Sequence, residues 1–155
     1  MDADDATLMA IETALAPDIH QLHGHETPER VAALRARFGH PVMKAVGIGG
    51  AEDLQTAKSY QTGADWLLLD AKPPKNAILP GGNGVAFDWR LLAGLDLEKP
   101  FMVSGGLDPA NVGEAIALSR PAGVDISSGV ETAPGVKDPE KIRAFVAAAR
   151  AAERV

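Results

Sequence analysis

The sequence contains no cysteine, so disulfides, thiolate nucleophiles and thiolate metal ligands are excluded within this chain. Basic residues are also few, because 15 Lys and Arg face 21 Asp and Glu and leave a formal charge of −6. Nucleic-acid-binding surfaces neutralise phosphates with clustered Lys and Arg, so we expect no nucleic-acid partner. An anionic ligand of this chain would have to be bound by local backbone donors.

Long apolar runs are absent too, and none approaches the roughly 20 residues that a membrane-spanning helix needs. The first residues, MDADDATLMA, lack the basic and apolar regions of a signal peptide. We therefore expect a cytoplasmic protein with no membrane partner. The length of 155 residues, an apolar content of 46% and the lack of a linker predict a single folded domain over residues 1–155.

Five short segments have the mostly continuous apolar character that is typical of parallel strands covered on both faces. They comprise residues 19–23, 42–47, 66–70, 101–104 and 124–127. Helical patterns lie between them, as where Val31, Leu34 and Phe38 share one face and Gly39 is placed to end the helix. The order, a helix and then five strand–helix repeats, predicts a parallel α/β sheet.

Helix starts are indicated by a capping oxygen followed by proline, which suits the first helical turn. This pattern occurs at Thr27-Pro28, Asp108-Pro109 and Asp138-Pro139. A first helix is predicted by the spacing of Leu8, Ile11 and Leu15, with Asp4 or Asp5 as its cap.

Asp70 is the sharpest functional signal, because it ends the apolar segment ADWLLLDA. Ligands of parallel α/β folds bind at the carboxyl ends of the strands, where partial burial raises the pKa of a carboxyl group and suits it to general acid catalysis. The alternative is an aspartate that only caps the following turn. The long loop after it, KPPKNAILPGGNG at residues 72–84, favours catalysis, since such loops can cover a substrate.

Two glycine-containing loops follow the last two predicted strands, SGGL at residues 104–107 and SSGVE at residues 127–131. Small residues let backbone N–H groups approach an anion, and a helix that begins after the loop adds a favourable dipole. Loops in this position form the usual phosphate site of a β/α barrel. Together they predict a phosphate-binding site.

The remaining polar candidates are less specific. His23 and His25 could form a metal pair, but no acidic or histidine partners recur at ligand spacing, so we expect no metal site. His23 either lines the pocket or is a hydrogen-bonded structural histidine, and His20 and His40 are expected to be structural or solvated. Lys44 is expected to face the barrel interior, the strand end or solvent.

These segments together resemble the phosphoribosylanthranilate isomerase family, whose members are (β/α)₈ barrels of the tryptophan pathway. The resemblance rests on PDIHQLHGHETPERVAAL, PVMKAVGI, ADWLLLDAKPPKNAILPGGNGVAFDW, PFMVSGGLDPANV and GVDISSGVETAPGVKDPEKIRAFV, in the family's order. It covers nearly all of the chain and implies strands four to eight of that barrel. The expected fold is therefore an incomplete TIM barrel of about five parallel strands.

The resemblance implies an Amadori rearrangement of N-(5-phosphoribosyl)anthranilate to 1-(2-carboxyphenylamino)-1-deoxyribulose 5-phosphate, with a small phosphosugar as substrate and no cofactor. A general acid, which corresponds to Asp70, protonates the ring oxygen, and a base then removes the C2 proton. The substrate and phosphate contacts implied by the family are His23, Gly105, Gly106, Asp125, Ser127, Ser128 and Gly129.

One part of the family's machinery has no counterpart here. Its base is a cysteine on the first strand, and the arginine for the anthranilate carboxylate also lies in that front portion. A lysine of many relatives is replaced by Val85. We therefore expect a C-terminal fragment that is inactive alone and self-associates through open strand edges.

Two alternatives remain at this stage. The first is a non-catalytic βα module that binds a phosphorylated ligand and has a flavodoxin-like sheet. The second is another phosphosugar barrel such as indole-glycerol-phosphate synthase, which relies on lysine and glutamate chemistry and fits the stretch from LLLDAKPP to GGNG poorly.

Overall fold

The computed structural model describes residues 1–72 and 86–153. Its centre is one parallel sheet in which each strand pairs with the next along the chain. The strands are β1 (His20–Leu22), β2 (Val42–Ile48), β3 (Trp66–Ala71), β4 (Phe101–Val103) and β5 (Gly123–Val124). All five predicted strands are confirmed, although β5 ends three residues earlier than expected. The order 1-2-3-4-5 differs from the 2-1-3-4-5 order of a flavodoxin-like sheet, so that alternative is not favoured.

Five α-helices accompany the sheet in the described residues: α1 (Asp5–Leu15), α2 (Pro28–Phe38), α3 (Ala51–Ser59), α4 (Val112–Ser119) and α5 (Pro139–Ala152). Three of the predicted caps are confirmed. The carboxylate of Asp4 accepts the Thr7 N–H at 2.8 Å, and Thr27 and Asp138 cap α2 and α5 in the same way. Gly39 ends α2 in the left-handed conformation, with φ of 72°. None of the described helices is long and apolar enough to cross a membrane.

The predicted cap at Asp108 is wrong. Its carboxylate accepts the N–H groups of Ala110 and Asn111, at 2.7 and 2.9 Å, and so closes a turn that precedes the helix. Helix α4 therefore begins only at Val112.

Two connections in the second half of the chain also differ from the prediction. Between β3 and β4 the described part contains a short 3-10 helix, Trp89–Leu92, in place of an α-helix. After β5 the chain forms another 3-10 helix, Ser128–Val130, and then an antiparallel hairpin of β6 (Glu131–Ala133) and β7 (Val136–Lys137). The hairpin strands are too short and too polar to stand out in the sequence.

The sheet separates a large core from a small one, because successive side chains of a strand point to opposite faces. Val46, Leu69 and Val103 belong to the large cluster that packs with the helices. The other side, which we call the second face, carries the small apolar cluster Met43, Ala45, Leu68, Trp66 and Met102. Asp70 lies two residues beyond Leu68, so its side chain is placed on the second face. Trp66 and Trp89 are both core residues, as predicted.

Candidate active site

Asp70 lies near the carboxyl end of β3, on the second face, with its side chain only 15% exposed. Burial raises the pKa of this carboxyl above its usual range, and the charge of Asp125 adds to the rise. His23 and the backbone N–H of Ala71 act in the opposite direction without cancelling it. The predicted direction of the pKa shift is therefore confirmed, and a raised pKa favours the protonated form that general acid catalysis needs.

A row of polar side chains follows the carboxyl ends of four strands. His23 Nε2 lies 3.5 Å from Asp70 Oδ2, and the Ser104 hydroxyl donates to Asp125 Oδ2 at 3.0 Å. The register pairs Leu69 with Val103 and Val103 with Val124, so Asp70, Ser104 and Asp125 come one step later on adjacent strands. The structure thus brings His23, Asp70 and Asp125 together as the sequence predicted.

Lys44 holds the backbone on both sides of His23. Its ammonium group donates to the carbonyl of Gly24 at 2.8 Å and to that of Leu22 at 3.4 Å, and it pairs with Glu26 Oε2 at 3.0 Å. Of the three positions expected for Lys44, the structure supports the strand end, because its ammonium group contacts the backbone where β1 ends. Lys44 shares the helix-facing side of β2 with Val42 and Val46 and is only 3% exposed, because Glu26 and the two carbonyls replace its hydration.

Glu26 is a functional neighbour that the sequence did not indicate. Partial burial acts to raise the pKa of its carboxyl, but the Lys44 ammonium and nearby N–H groups outweigh burial and hold the pKa below its usual range. Its Oε2 also accepts the Gly24 N–H at 3.0 Å, and its backbone carbonyl accepts the Tyr60 hydroxyl at 2.9 Å. No local pattern marks this pair, because the partners Glu26 and Lys44 belong to different elements.

The SGGL loop packs directly against the candidate acid. Gly105 and Gly106 have φ values of 83° and 64°, in the region that favours glycine. A Cβ atom on Gly105 would lie 2.7 Å from Asp70 Oδ1 and 2.5 Å from the Ala71 backbone nitrogen. Only glycine therefore lets this loop approach the carboxylate so closely.

The second glycine loop touches the first. A Cβ atom on Gly129 would clash with the carbonyl oxygen of Leu107, so the two backbones are in contact there. Within residues 1–72 and 86–153, the backbone N–H groups of Gly105, Gly106, Ser128 and Gly129 donate no hydrogen bond. Anion binding at these donors stays a prediction.

The helix-dipole part of that prediction needs correction. The loop at Ser127 leads into a single turn of 3-10 helix rather than an α-helix. A cation lies there instead, because Lys137 Nζ from β7 donates to the carbonyl and the hydroxyl of Ser127, at 2.9 and 3.1 Å. Lys137 also pairs with Glu131 at 2.7 Å. Lys137 was not predicted, because the hairpin that positions it leaves no clear signal in the sequence.

Asn111 is a second missed residue, and it shapes the first loop. Its side-chain amide donates to the Gly106 carbonyl at 2.9 Å, while its oxygen accepts the Asp108 N–H at 2.8 Å. The amide thus holds the Gly106 carbonyl and the Asp108 N–H in one fixed arrangement and orders the loop.

Two further predictions concern His25 and the long loop. The side chain of His25 is 91% exposed and pairs with Asp2 at 3.0 Å, so it does not join His23 in a metal pair. Of the predicted covering loop, residues 73–84 lie outside the described residues, as does Val85.

Comparisons with known proteins agree on one family. A family model described as N-(5'phosphoribosyl)anthranilate (PRA) isomerase matches residues 1–148. The N-(5'-phosphoribosyl)anthranilate isomerase of Rhodopseudomonas palustris is 58% identical over 153 residues, which are 99% of this chain and 70% of that protein.

Solved structures give the same result. The phosphoribosyl anthranilate isomerase of Thermotoga maritima has a TM-score of 0.84 and 34% identity, covering 97% of this chain and 70% of that chain. A phosphoribosyl anthranilate isomerase structure in complex with reduced 1-(o-carboxyphenylamino)-1-deoxyribulose 5-phosphate has a TM-score of 0.77 and 31% identity, covering 97% of this chain and 68% of that chain.

The likeness runs along almost the whole of this chain, which spans about 70% of the length of these relatives. The prediction of a fragment that is inactive alone is not borne out by these matches. Their agreement with the motifs around Asp70 and the two glycine loops leads to one assignment. The chain belongs to the N-(5'-phosphoribosyl)anthranilate isomerase family.

Proposed function

We propose that this chain performs the isomerase chemistry of its family, the Amadori rearrangement of N-(5'-phosphoribosyl)anthranilate in tryptophan biosynthesis, with Asp70 as general acid. The observation that carries the proposal is the contact between a buried carboxyl of raised pKa and the SGGL loop at Gly105. A protonated Asp70 donates to the furanose ring oxygen while the bond from that oxygen to C1 breaks. The electrons of the anthranilate nitrogen form the C=N bond at the same time.

His23 is placed to stabilise the carboxylate form that Asp70 has after it donates its proton. Its Nε2 atom lies 3.5 Å from Asp70 Oδ2, and it favours the ionised carboxylate. We place His23 and Asp125 as substrate contacts on either side of the acid. Removal of the C2 proton then gives an enamine that tautomerises to the ketone. The family resemblance assigns that step to a cysteine, which this chain lacks. We therefore propose that Asp70 carries the ring opening and that the C2 proton passes to a water molecule, which acts as the base.

The phosphate site of the proposal consists of Gly105, Gly106, Ser127, Ser128 and Gly129. The unused N–H groups of these two touching loops support it, because a phosphate needs several convergent donors. Lys137 adds a positive charge beside Ser127. The contact between Gly105 and Asp70 places this phosphate site beside the proposed acid.

We further propose that the five strands take the places of strands four to eight of the family's barrel, within one cytoplasmic domain over residues 1–155. Their sequential parallel order and the 70% share of the relatives' length support this placement. In the described sheet β1 and β5 are the outer strands, each paired on one side only. Such edges favour self-association, which analytical ultracentrifugation over a range of concentrations tests.

The test of the function is turnover of N-(5'-phosphoribosyl)anthranilate, together with calorimetric binding of the reduced product analogue. Turnover that Asp70→Asn lowers by about 10²-fold or more, and that the exposed control Asp18→Asn leaves unchanged, supports the proposal. Equal turnover by Asp70→Asn contradicts the acid role. A folded chain that neither turns over the substrate nor binds the analogue contradicts the proposed function, and binding without turnover contradicts catalysis by this chain alone.

A further inference from the structure

A cluster of three side chains lies at the amino end of the sheet, away from the candidate active site. Glu12 belongs to α1, His20 begins β1, and His40 precedes β2 by two residues. Among the described residues, these three form the one group whose carboxylate and imidazole atoms all lie within 4.8 Å of one another. The proposed isomerase chemistry uses none of them.

The two imidazoles converge on one oxygen atom. His20 Nε2 and His40 Nε2 each lie 3.0 Å from Glu12 Oε2. The rings are stacked, with centroids 4.7 Å apart and planes 24° apart, and Phe38 packs against the ring of His20 at 4.8 Å. Two stacked rings that direct the same nitrogen to the same point are already ordered before any ligand binds, which reduces the entropic cost of coordination.

The spacing of these atoms is close to that of a tetrahedral metal site. Zinc bonds to histidine nitrogen and carboxylate oxygen of about 2.0–2.1 Å place neighbouring ligand atoms about 3.3 Å apart. The two observed separations of 3.0 Å need to open only slightly to admit an ion. Two histidines and one glutamate with an open fourth position are a donor set that proteins use for zinc.

The charge and exposure of the cluster also suit a cation. Hydrogen bonds from His40 and His20 hold the pKa of Glu12 below its usual range, so this ligand is ionised at neutral pH. The side chains of Glu12 and His40 are 27% and 20% exposed, which leaves an entry path, whereas His20 is buried. When a metal ion binds, it takes the place between the two Nε2 atoms and the Glu12 carboxylate, and any proton on these nitrogens is released.

We propose that Glu12, His20 and His40 form a binding site for one divalent transition-metal ion of the zinc class, which ties α1 to the start of β1 and β2. Such an ion binds the folded chain and not the unfolded one, so it raises the stability of the fold.

The test uses the full chain, stripped of metal with EDTA and titrated with zinc chloride by calorimetry. We expect one ion per chain, a rise in Tm, and visible absorption typical of tetrahedral coordination when cobalt(II) replaces zinc. His40→Gln and Glu12→Gln should each lower the affinity at least about tenfold, which is about 1.4 kcal/mol. His25→Gln is the matched control, since it removes an exposed histidine that pairs with a carboxylate elsewhere.

Circular dichroism of each variant shows that the fold is retained, and two variants keep the test informative if one of them unfolds. Zinc binding by His40→Gln and Glu12→Gln with unchanged affinity overturns the proposal, as does the lack of binding by the wild-type chain. Loss of binding in His25→Gln alone moves the site to the exposed histidine and also overturns it.

Discussion

His23 Nε2 lies 3.5 Å from Asp70 Oδ2, so the end of β1 and the end of β3 are joined across the carboxyl edge of the sheet. His23 lowers the pKa of Asp70 and thereby limits the rise that burial causes. Replacing His23 by Gln should move that pKa further upward. If Asp70 acts in its protonated form, the fall of activity at high pH then shifts to higher pH.

The measurement is the pH dependence of kcat/KM for the wild-type chain and for His23→Gln. His25→Gln serves as control, because its side chain is exposed and pairs with Asp2. An alkaline limb that stays at the same pH in His23→Gln contradicts the assignment of that limb to Asp70.

Asp70→Asn should separate function from stability. General acid catalysis contributes about 10²–10⁴-fold, so we expect a loss of that order in kcat. Because folding raises the pKa of Asp70, the folded chain binds this proton more tightly than the unfolded chain does. The stability from this group is therefore largest at low pH and declines as the pH rises through the raised pKa.

The amide that Asp70→Asn introduces carries no charge at any pH, so this variant should be more stable than the wild-type chain at pH 8 and should lose this advantage towards pH 4. Urea denaturation at both pH values measures the difference. If the variant is less stable than the wild-type chain at pH 8, burial of the ionised Asp70 carboxylate does not destabilise the fold.

The sequence predicted those residues of the candidate site whose position depends only on where a strand ends. Asp70, Ser104 and Asp125 each follow an apolar segment, and parallel neighbours bring such residues to one edge whatever the crossovers contain. Caps such as Asp4 and Thr27 were predictable for a similar reason, because their chemistry is local.

The side of β2 that Lys44 occupies was not predictable. Strand β2 is apolar on both faces, so alternation leaves no signal to say which neighbours Lys44 meets. Its partner Glu26 lies 18 residues earlier in the chain, in the loop between β1 and α2, and only folding brings the two side chains together. Lys137 was missed in the same way, because it depends on the pairing of Glu131–Ala133 with Val136–Lys137.

Gly105→Ala should impair both ligand binding and stability. The φ of 83° disfavours any residue with a Cβ, and that Cβ would also press on Asp70 and on the Ala71 nitrogen. Gly135→Ala is a matched control, since Gly135 has a φ of 78° but nothing within 4 Å of the added atom. Gly135→Ala should cost about 1 kcal/mol through backbone strain alone, whereas Gly105→Ala should cost about 1–3 kcal/mol more.

Chemical denaturation gives the two costs, and calorimetry with the reduced product analogue gives the affinities. Binding should fall in Gly105→Ala and stay unchanged in Gly135→Ala. Equal costs for both variants would mean that the SGGL loop does not press against Asp70 as described.

Lys44→Met tests whether the buried ion pair positions His23. The methionine retains most of the volume but leaves the Glu26 carboxylate and the carbonyls of Leu22 and Gly24 without their donor. Breaking one partner of a buried pair typically costs about 3–5 kcal/mol. We expect a loss of this order by urea denaturation, and a smaller loss when Glu26→Gln removes the orphaned charge as well.

If the pair of Lys44 and Glu26 has only a structural role, its removal changes the stability of the fold and leaves the pKa of Asp70 unchanged. If Lys44 holds His23 near Asp70, the double variant Lys44→Met/Glu26→Gln should instead shift the alkaline limb of kcat/KM in the same direction as His23→Gln, because a displaced imidazole no longer lowers the pKa of Asp70. Combining the double variant with His23→Gln should then add no further shift, since both changes remove the same interaction. A fully additive shift would show that Lys44 acts on Asp70 by another route.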